Sequence, residues 1–181
     1  ITRRVKPKLE NILIAMGGVD ADNVTQNVLA TLEKKRDLSL NSITVVLGPH
    51  APWLGEVKSF GKSMRIPTKI LHSVENIAEL MTFNDLSIGA GGSMTWERCA
   101  LGLPSIIIRL ADNQKRLMAS IDEFGAGRTI NSIFMLDNTL NQMLNEFKIS
   151  KTLQTTSQNC SKIVDGRGAS RVSKVMESYV G

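Results

Sequence analysis

Residues 12–16 read Ile-Leu-Ile-Ala-Met, are led in by Asn11 and are closed by Gly17-Gly18. The run is too short to be a helix of its own. It is apolar without alternation, as a strand covered on both faces must be. Five further short runs follow: Ile43 to Leu47, Thr68 to Leu71, Leu86 to Ile88, Ser105 to Ile108 and a weaker one from Gly127 to Ile130. Segments with helical spacing separate them. Asp20, Asp22 and Asn23 offer N-caps before Val24, Val28 and Leu32. Trp53 to Lys62 reads as a helix, and Ser73 can cap another whose apolar face is Val74, Ile77, Ala78 and Met81. A short helix starts at Ser93 and stops at Gly102, a residue suited to a left-handed C-terminal position, with Pro104 two residues on. Leu117, Ile121 and Phe124 mark the next helix. The remainder reads as helical and polar, and Val172, Val175, Met176 and Tyr179 give the last helix an apolar stripe. Strands alternating with helices imply right-handed βαβ crossovers. The expected fold is α/β: a Rossmann-like open parallel sheet of about six strands with helices on both faces. No internal repeat interrupts it.

Composition narrows the function classes. Of 181 residues, 42% are hydrophobic and 22% charged, which excludes disorder, collagen and coiled coil. The length supports one sizeable core. No apolar run approaches the roughly 18 residues of a membrane span. Cys99 and Cys160 cannot build a disulfide framework, so a reduced, cytoplasmic protein is expected. The net charge is +5, and its densest patch is Arg3, Arg4, Lys6 and Lys8. That patch reads as a solvated linker. With only 4% aromatic residues to stack on bases, no nucleic-acid partner is expected. The chain starts at Ile1 without an initiator Met, so residues 1–10 are expected to be a linker from a missing N-terminal domain, and 11–181 the domain itself.

An open parallel sheet binds ligands at the carboxyl ends of its strands, near the point where strand order reverses. Both glycine clusters follow strands, so both belong on that edge. Gly89-Ala90-Gly91-Gly92-Ser93-Met94 runs from strand into helix, where free amides and the Ser93 hydroxyl suit a diphosphate. Glu97 stands one turn deeper, and its carboxylate can accept hydrogen bonds from both hydroxyls of a ribose. Phosphate at the cap with ribose one turn inward describes a nucleotide site. Gly17, Gly18 and Asp20 form a turn that can face a sugar phosphate, and the amides of Asn113 and Gln114 can read sugar hydroxyls. Leu71 and His72, at a strand end, can meet a base through their backbone. Each position also has a plainer reading: Ser93 and Asp20 as helix caps, Glu97 as a surface residue, residues 111–114 as a loop.

Other chemistries find no support. No Gly-Lys-Ser/Thr tripeptide exists, so there is no P-loop. Counting from Gly89, the sixth position is Met94 rather than the Gly or Ala of a dinucleotide fingerprint, although Arg109 stands where a 2′-phosphate reader would. His50 and His72 have no partners at metal-ligand spacing, so neither a metal site nor a cofactor is expected. Cys99, Trp53, Trp96 and the methionines read as packing residues.

Residues 12–20, with Asn23-Val-Thr25, resemble the opening of the C-terminal half of the UDP-sugar hydrolases of pseudaminic acid biosynthesis. That group includes the spore-coat polysaccharide proteins of the SpsG type. The run Ser87-Ile-Gly-Ala-Gly-Gly-Ser-Met-Thr-Trp-Glu-Arg-Cys99, then Gly102-Leu-Pro104 and Ala111-Asp-Asn-Gln114, is similar to the group's central signature. Asp165-Gly-Arg-Gly-Ala169 with Arg171-Val172 is similar to its closing motif. Met94 stands where relatives commonly have a small polar residue. The resemblance spans roughly residues 10–180. It implies one half of a GT-B architecture like that of the MurG glycosyltransferases, with the UDP held in the C-terminal half and no metal. It also implies hydrolysis of a UDP-linked 2,4-diacetamido-trideoxy sugar at the anomeric carbon, with a histidine base in the N-terminal half.

The expected ligand is therefore UDP or a UDP-sugar, with Gly91, Gly92, Ser93 and Met94 at the diphosphate and Glu97 at the ribose. The expected partner is the missing N-terminal domain, which would carry the catalytic base. Two alternatives remain open: the donor-binding domain of an inverting GT-B glycosyltransferase, and a nucleotide-binding module without turnover.

Overall fold

The protein is described by a computed structural model over residues 7–180. Arg3, Arg4, Lys6 and most of the expected linker lie outside the described residues. Leu9 is already buried in the core, and the Glu10 amide donates to Asp85 Oδ2 at 2.9 Å.

The first half of the chain forms β1 (Asn11–Ala15), α1 (Val24–Lys34), β2 (Ser42–Leu47), α2 (Leu54–Ser63), β3 (Thr68–His72), α3 (Ile77–Phe83) and β4 (Leu86–Ala90). The second half forms α4 (Met94–Ala100), β5 (Ser105–Ile108), α5 (Lys115–Glu123), β6 (Gly127–Ile130), α6 (Leu136–Phe147), α7 (Ser150–Ile163) and α8 (Gly168–Val180). All six strands stand where the apolar runs put them, in one parallel sheet of order β3-β2-β1-β4-β5-β6. Strand alternation sorts the core into two layers. Ile12, Ile14, Ile43, Val45, Ile106 and Ile108 face α1, α2 and α6. Leu13, Ala15, Val46 and Ile107 face the other way, towards α3, α4, α5 and α7.

Local chemistry sets the helix ends. Asn23 takes the left-handed conformation at φ 50°, and its side chain caps α1 by accepting from the Gln26 amide. Gly102, at φ 64°, ends α4 as expected: its N–H reaches Cys99 O, and the Leu103 N–H reaches Arg98 O. That pair of bonds is a Schellman turn. Gly125, at φ 60°, ends α5 in the same way. Ser73 does not cap α3. It sits at φ 53° in the turn after β3, and Asn76 is the cap, accepting from Glu79 N.

The C-terminal third differs from the sequence reading in two respects. α6 is strongly amphipathic rather than polar, burying Leu136, Leu140, Leu144 and Phe147 against α1 and the sheet. The stripe of α8 exists but is not buried: Val172, Val175, Met176 and Tyr179 are all exposed.

Candidate functional site

Strand order reverses between β1 and β4, whose chains leave in opposite directions across the sheet. Ala15 pairs with Gly89, so the two strands end side by side. A cleft of about 320 Å³ opens there at their carboxyl ends. Its walls include Gly17, Gly18, Gly48, Ser73, Ser93 and Met94. The Gly17–Gly18 turn and the start of α4 therefore meet at one crevice, α4 through Ser93 and Met94.

The Ser93 turn presents donors. Ser93 has helical dihedrals, φ −55° and ψ −34°, and its side chain makes no capping bond. The Gly92 and Ser93 amides have no hydrogen-bond partner among the described residues, whereas their carbonyls accept from Thr95 N and Trp96 N. Glu97 is exposed one helical turn on. Leu71 and His72 end β3 beside the cleft. Leu71 packs against the layer of Leu13 and Val46, while His72 is exposed and pairs in register with Leu47.

The glycines do different things. A Cβ on Gly92 would meet nothing within 4 Å, so its face is open. A Cβ on Gly91 would stand 3.3 Å from Gln114 Cβ and Ile107 Cγ2, a packing requirement. A Cβ on Gly89 would stand 2.2 Å from Ala15 O and 2.3 Å from Arg98 Nη2. Gly89 is thus the room left for a side chain that sequence reasoning missed.

That side chain is Arg98, which is 1% exposed. On α4 it lies one turn from Met94 and leans towards the helix N-terminus, as helical side chains do. Nη2 donates to Ala15 O at 3.1 Å and lies 3.6 Å from Met94 Sδ, while Nη1 is 3.5 Å from Ala90 O. Nε has no partner. Burial pushes its pKa down to about 10, which still leaves a cation at neutral pH. Only the glycine at 89, in register with Ala15, signals this arrangement in the sequence.

Two expected residues, Asp20 and Gln114, are engaged elsewhere. Asp20 is buried, and its two carboxylate oxygens accept from Val24 N at 2.9 Å and Thr25 N at 3.0 Å. Its carboxylate caps α1 rather than facing the cleft. The carbonyl of the Gln114 side chain accepts from Leu110 N at 2.8 Å. Asn113 is exposed in the short turn after β5. A second hollow opens beside it, lined by Arg109, Asp112 and Asn131 on the β5–β6 side of the edge. Lys115, 2.9 Å from Asp112, holds that carboxyl below its ordinary range. Among the described residues no group of three or more His, Cys, Asp or Glu side chains could hold a metal. No described helix is long and apolar enough to cross a membrane.

One family model matches most of the chain. The sequence model of the glycosyltransferase family 28 C-terminal domain matches residues 11–172. An uncharacterized protein of Methanocaldococcus jannaschii is 39% identical over 113 residues, 60% of this chain and 22% of the relative. The spore coat polysaccharide biosynthesis protein SpsG of Bacillus subtilis is 24% identical over 176 residues, 96% of this chain and 51% of the relative. Among solved structures, Acinetobacter baumannii MurG superposes with a TM-score of 0.78 at 16% identity, covering 94% of this chain and 50% of that one. The chain thus spans about half, or less, of each of these proteins.

Proposed function

The chain belongs to the glycosyltransferase family 28 C-terminal domains, and from that membership we propose that it is the UDP-binding half of a two-domain enzyme of surface-sugar biosynthesis. The reaction proposed is hydrolysis of a UDP-linked 2,4-diacetamido-trideoxy sugar at its anomeric carbon. The observation that carries the nucleotide reading is the cleft at the β1/β4 reversal, where Ser93, with an unpartnered amide and a hydroxyl that makes no capping bond, shares the wall with the Gly17–Gly18 turn. In this reading Gly91, Gly92, Ser93 and Met94 line the diphosphate. Glu97 accepts from the ribose hydroxyls, and the backbone at Leu71 and His72 meets the base. Asn113 and the free NH₂ of Gln114 lie on the sugar side. Donors fixed where charge develops stabilise the departing UDP.

The choice of hydrolysis rests on the resemblance of residues 87–99 to the UDP-sugar hydrolases. A transferase of the same architecture is the second reading, favoured by the family match itself. In either case the attacking group and its base belong to a further, N-terminal domain, in the cytoplasm.

Calorimetry of the chain with UDP in excess EDTA tests the nucleotide site, and no binding up to several millimolar would overturn it. The reaction is tested on the two-domain protein supplied with the UDP-sugar. UDP released into water without an acceptor supports hydrolysis, and release only with an acceptor sugar supports transfer.

A further inference from the structure

Arg98 is a buried cation with no ion-paired carboxylate, and its sequence neighbours Cys99 and Glu97 act on it only at a distance. Its guanidinium touches two backbone carbonyls and a thioether, its Nε bonds to nothing, and no carboxylate pairs with it among the described residues. Buried charges are ordinarily paired, because an isolated one forfeits its hydration. The fold nevertheless reserves space for this one, since any side chain at 89 would collide with it. Its position is equally specific. Ala15 and Met94 both line the cleft, and both are in contact with the guanidinium. The cation therefore lies one atomic layer beneath the cleft wall, between the ends of β1 and β4. A helix of seven residues supplies little field of its own, and Lys and Arg are absent from the cleft lining.

We propose that Arg98 is the positioning residue that gives this cleft its anion preference, its buried guanidinium acting through the Ala15 and Met94 wall on the diphosphate of a bound nucleoside diphosphate. The inference rests on the nucleotide reading above and adds the source of the charge. The ligand supplies a counter-charge, and the wall keeps the two ions apart, so no direct salt bridge forms. A field acting through protein rather than water is screened little by salt. It discriminates by ligand charge, leaving contacts to base and ribose unaltered.

The test is titration of the ¹⁵N-labelled chain with UDP and with uridine, followed by NMR. The wild type is compared with Arg98→Gln, which keeps an N–H donor for Ala15 O, and Arg98→Lys, which keeps the charge. The wild type is expected to prefer UDP over uridine. Arg98→Gln is expected to cut that preference about tenfold, equivalent to about 1.4 kcal/mol, with uridine affinity unchanged within about twofold. Arg98→Lys is expected to retain most of the preference. Equal losses for UDP and uridine, or an undiminished preference in Arg98→Gln, would overturn the proposal and leave Arg98 a tie between strand ends. Should Arg98→Gln not fold, the wild type alone decides. Its UDP preference is expected to persist at about 1 M salt, and its collapse there assigns the preference to exposed charges. A wild type that binds no UDP sinks the nucleotide reading and this inference together, whereas a preference that survives in Arg98→Gln sinks this inference alone.

Discussion

Gly48 and Gly18 meet backbone against backbone. A Cβ on Gly48 would stand 2.4 Å from the Gly18 carbonyl oxygen, 2.6 Å from its Cα and 2.7 Å from the Gly17 oxygen. The turn after β2 thus supports the turn after β1, which walls the cleft. Gly48→Ala must push one backbone off the other, so a loss of about 1–3 kcal/mol is expected, visible as a lower melting temperature. Nucleotide affinity is expected to fall with it, because the displaced turn faces the ligand. Gly55→Ala is the control. Nothing lies within 4 Å of a Cβ there, and a helical Ala is expected to hold or raise stability by about 0.5–1 kcal/mol.

Glu97 offers a sharper test of the site. If it accepts from both ribose hydroxyls, Glu97→Ala is expected to weaken UDP binding by about 1.5–3 kcal/mol, the range for hydrogen bonds to a charged group. The 2′,3′-dideoxy analogue lacks those hydroxyls and is expected to lose far less. Equal losses, read by calorimetry, would return Glu97 to the surface.

Acid stability follows from carboxylates held ionised by neighbours. Asp37 lies 2.8 Å from Lys148 Nζ and is also paired with Lys35. Those contacts, Lys148 first, lower its pKa to about 2. Arg171, with help from the Arg167 amide, does the same for Asp165, also to about 2. A folded pKa below the unfolded value contributes stability that is complete above the unfolded pKa and lost as pH falls through the folded one. The melting temperature is therefore expected to hold above about pH 4 and to fall between there and about pH 2. Lys148→Met leaves Asp37 with Lys35 alone and is expected to make that fall shallower. An unchanged slope would show that the pair persists only weakly in water.

The chain alone is not expected to hydrolyse UDP-sugars at a useful rate. In the proposed reading the cleft residues serve the leaving-group side, and a positioned base is typically worth about 10²–10⁴-fold. His50 and His72 are exposed, and neither has a hydrogen-bonded carboxylate. A UDP-release assay on the chain decides. Full activity lost on His72→Ala or His50→Ala would move the base into this domain.

The sheet was legible because each strand is a short apolar run stopped by glycine or by a turn. The two levels of glycine use at 89 and 92 were not. Both read as room for a ligand, yet Gly89 makes room for Arg98 and only Gly92 opens outward. An arginine at the fifth residue of α4 looks like surface, and burial of its charge is decided by strands far away in sequence. Asp20 was placed on the right turn but with the wrong outlook, since its plainer reading as a cap takes both of its oxygens. Helical periodicity located the stripe of α8 correctly. Periodicity states which residues share a face, and it is silent on whether another surface covers it.

Parallel strand direction also segregates the loops. The turns after β1, β2, β3 and β4 gather around the cleft, while those that enter β2, β3 and β5 are collected at the opposite end of the sheet. Ser39 is exposed on that far side, and both native thiols, Cys99 and Cys160, are buried. Ser39→Cys thus gives a molecule with a single reactive handle for a dye or a surface tether, attached by its back so that the cleft stays turned to the solution.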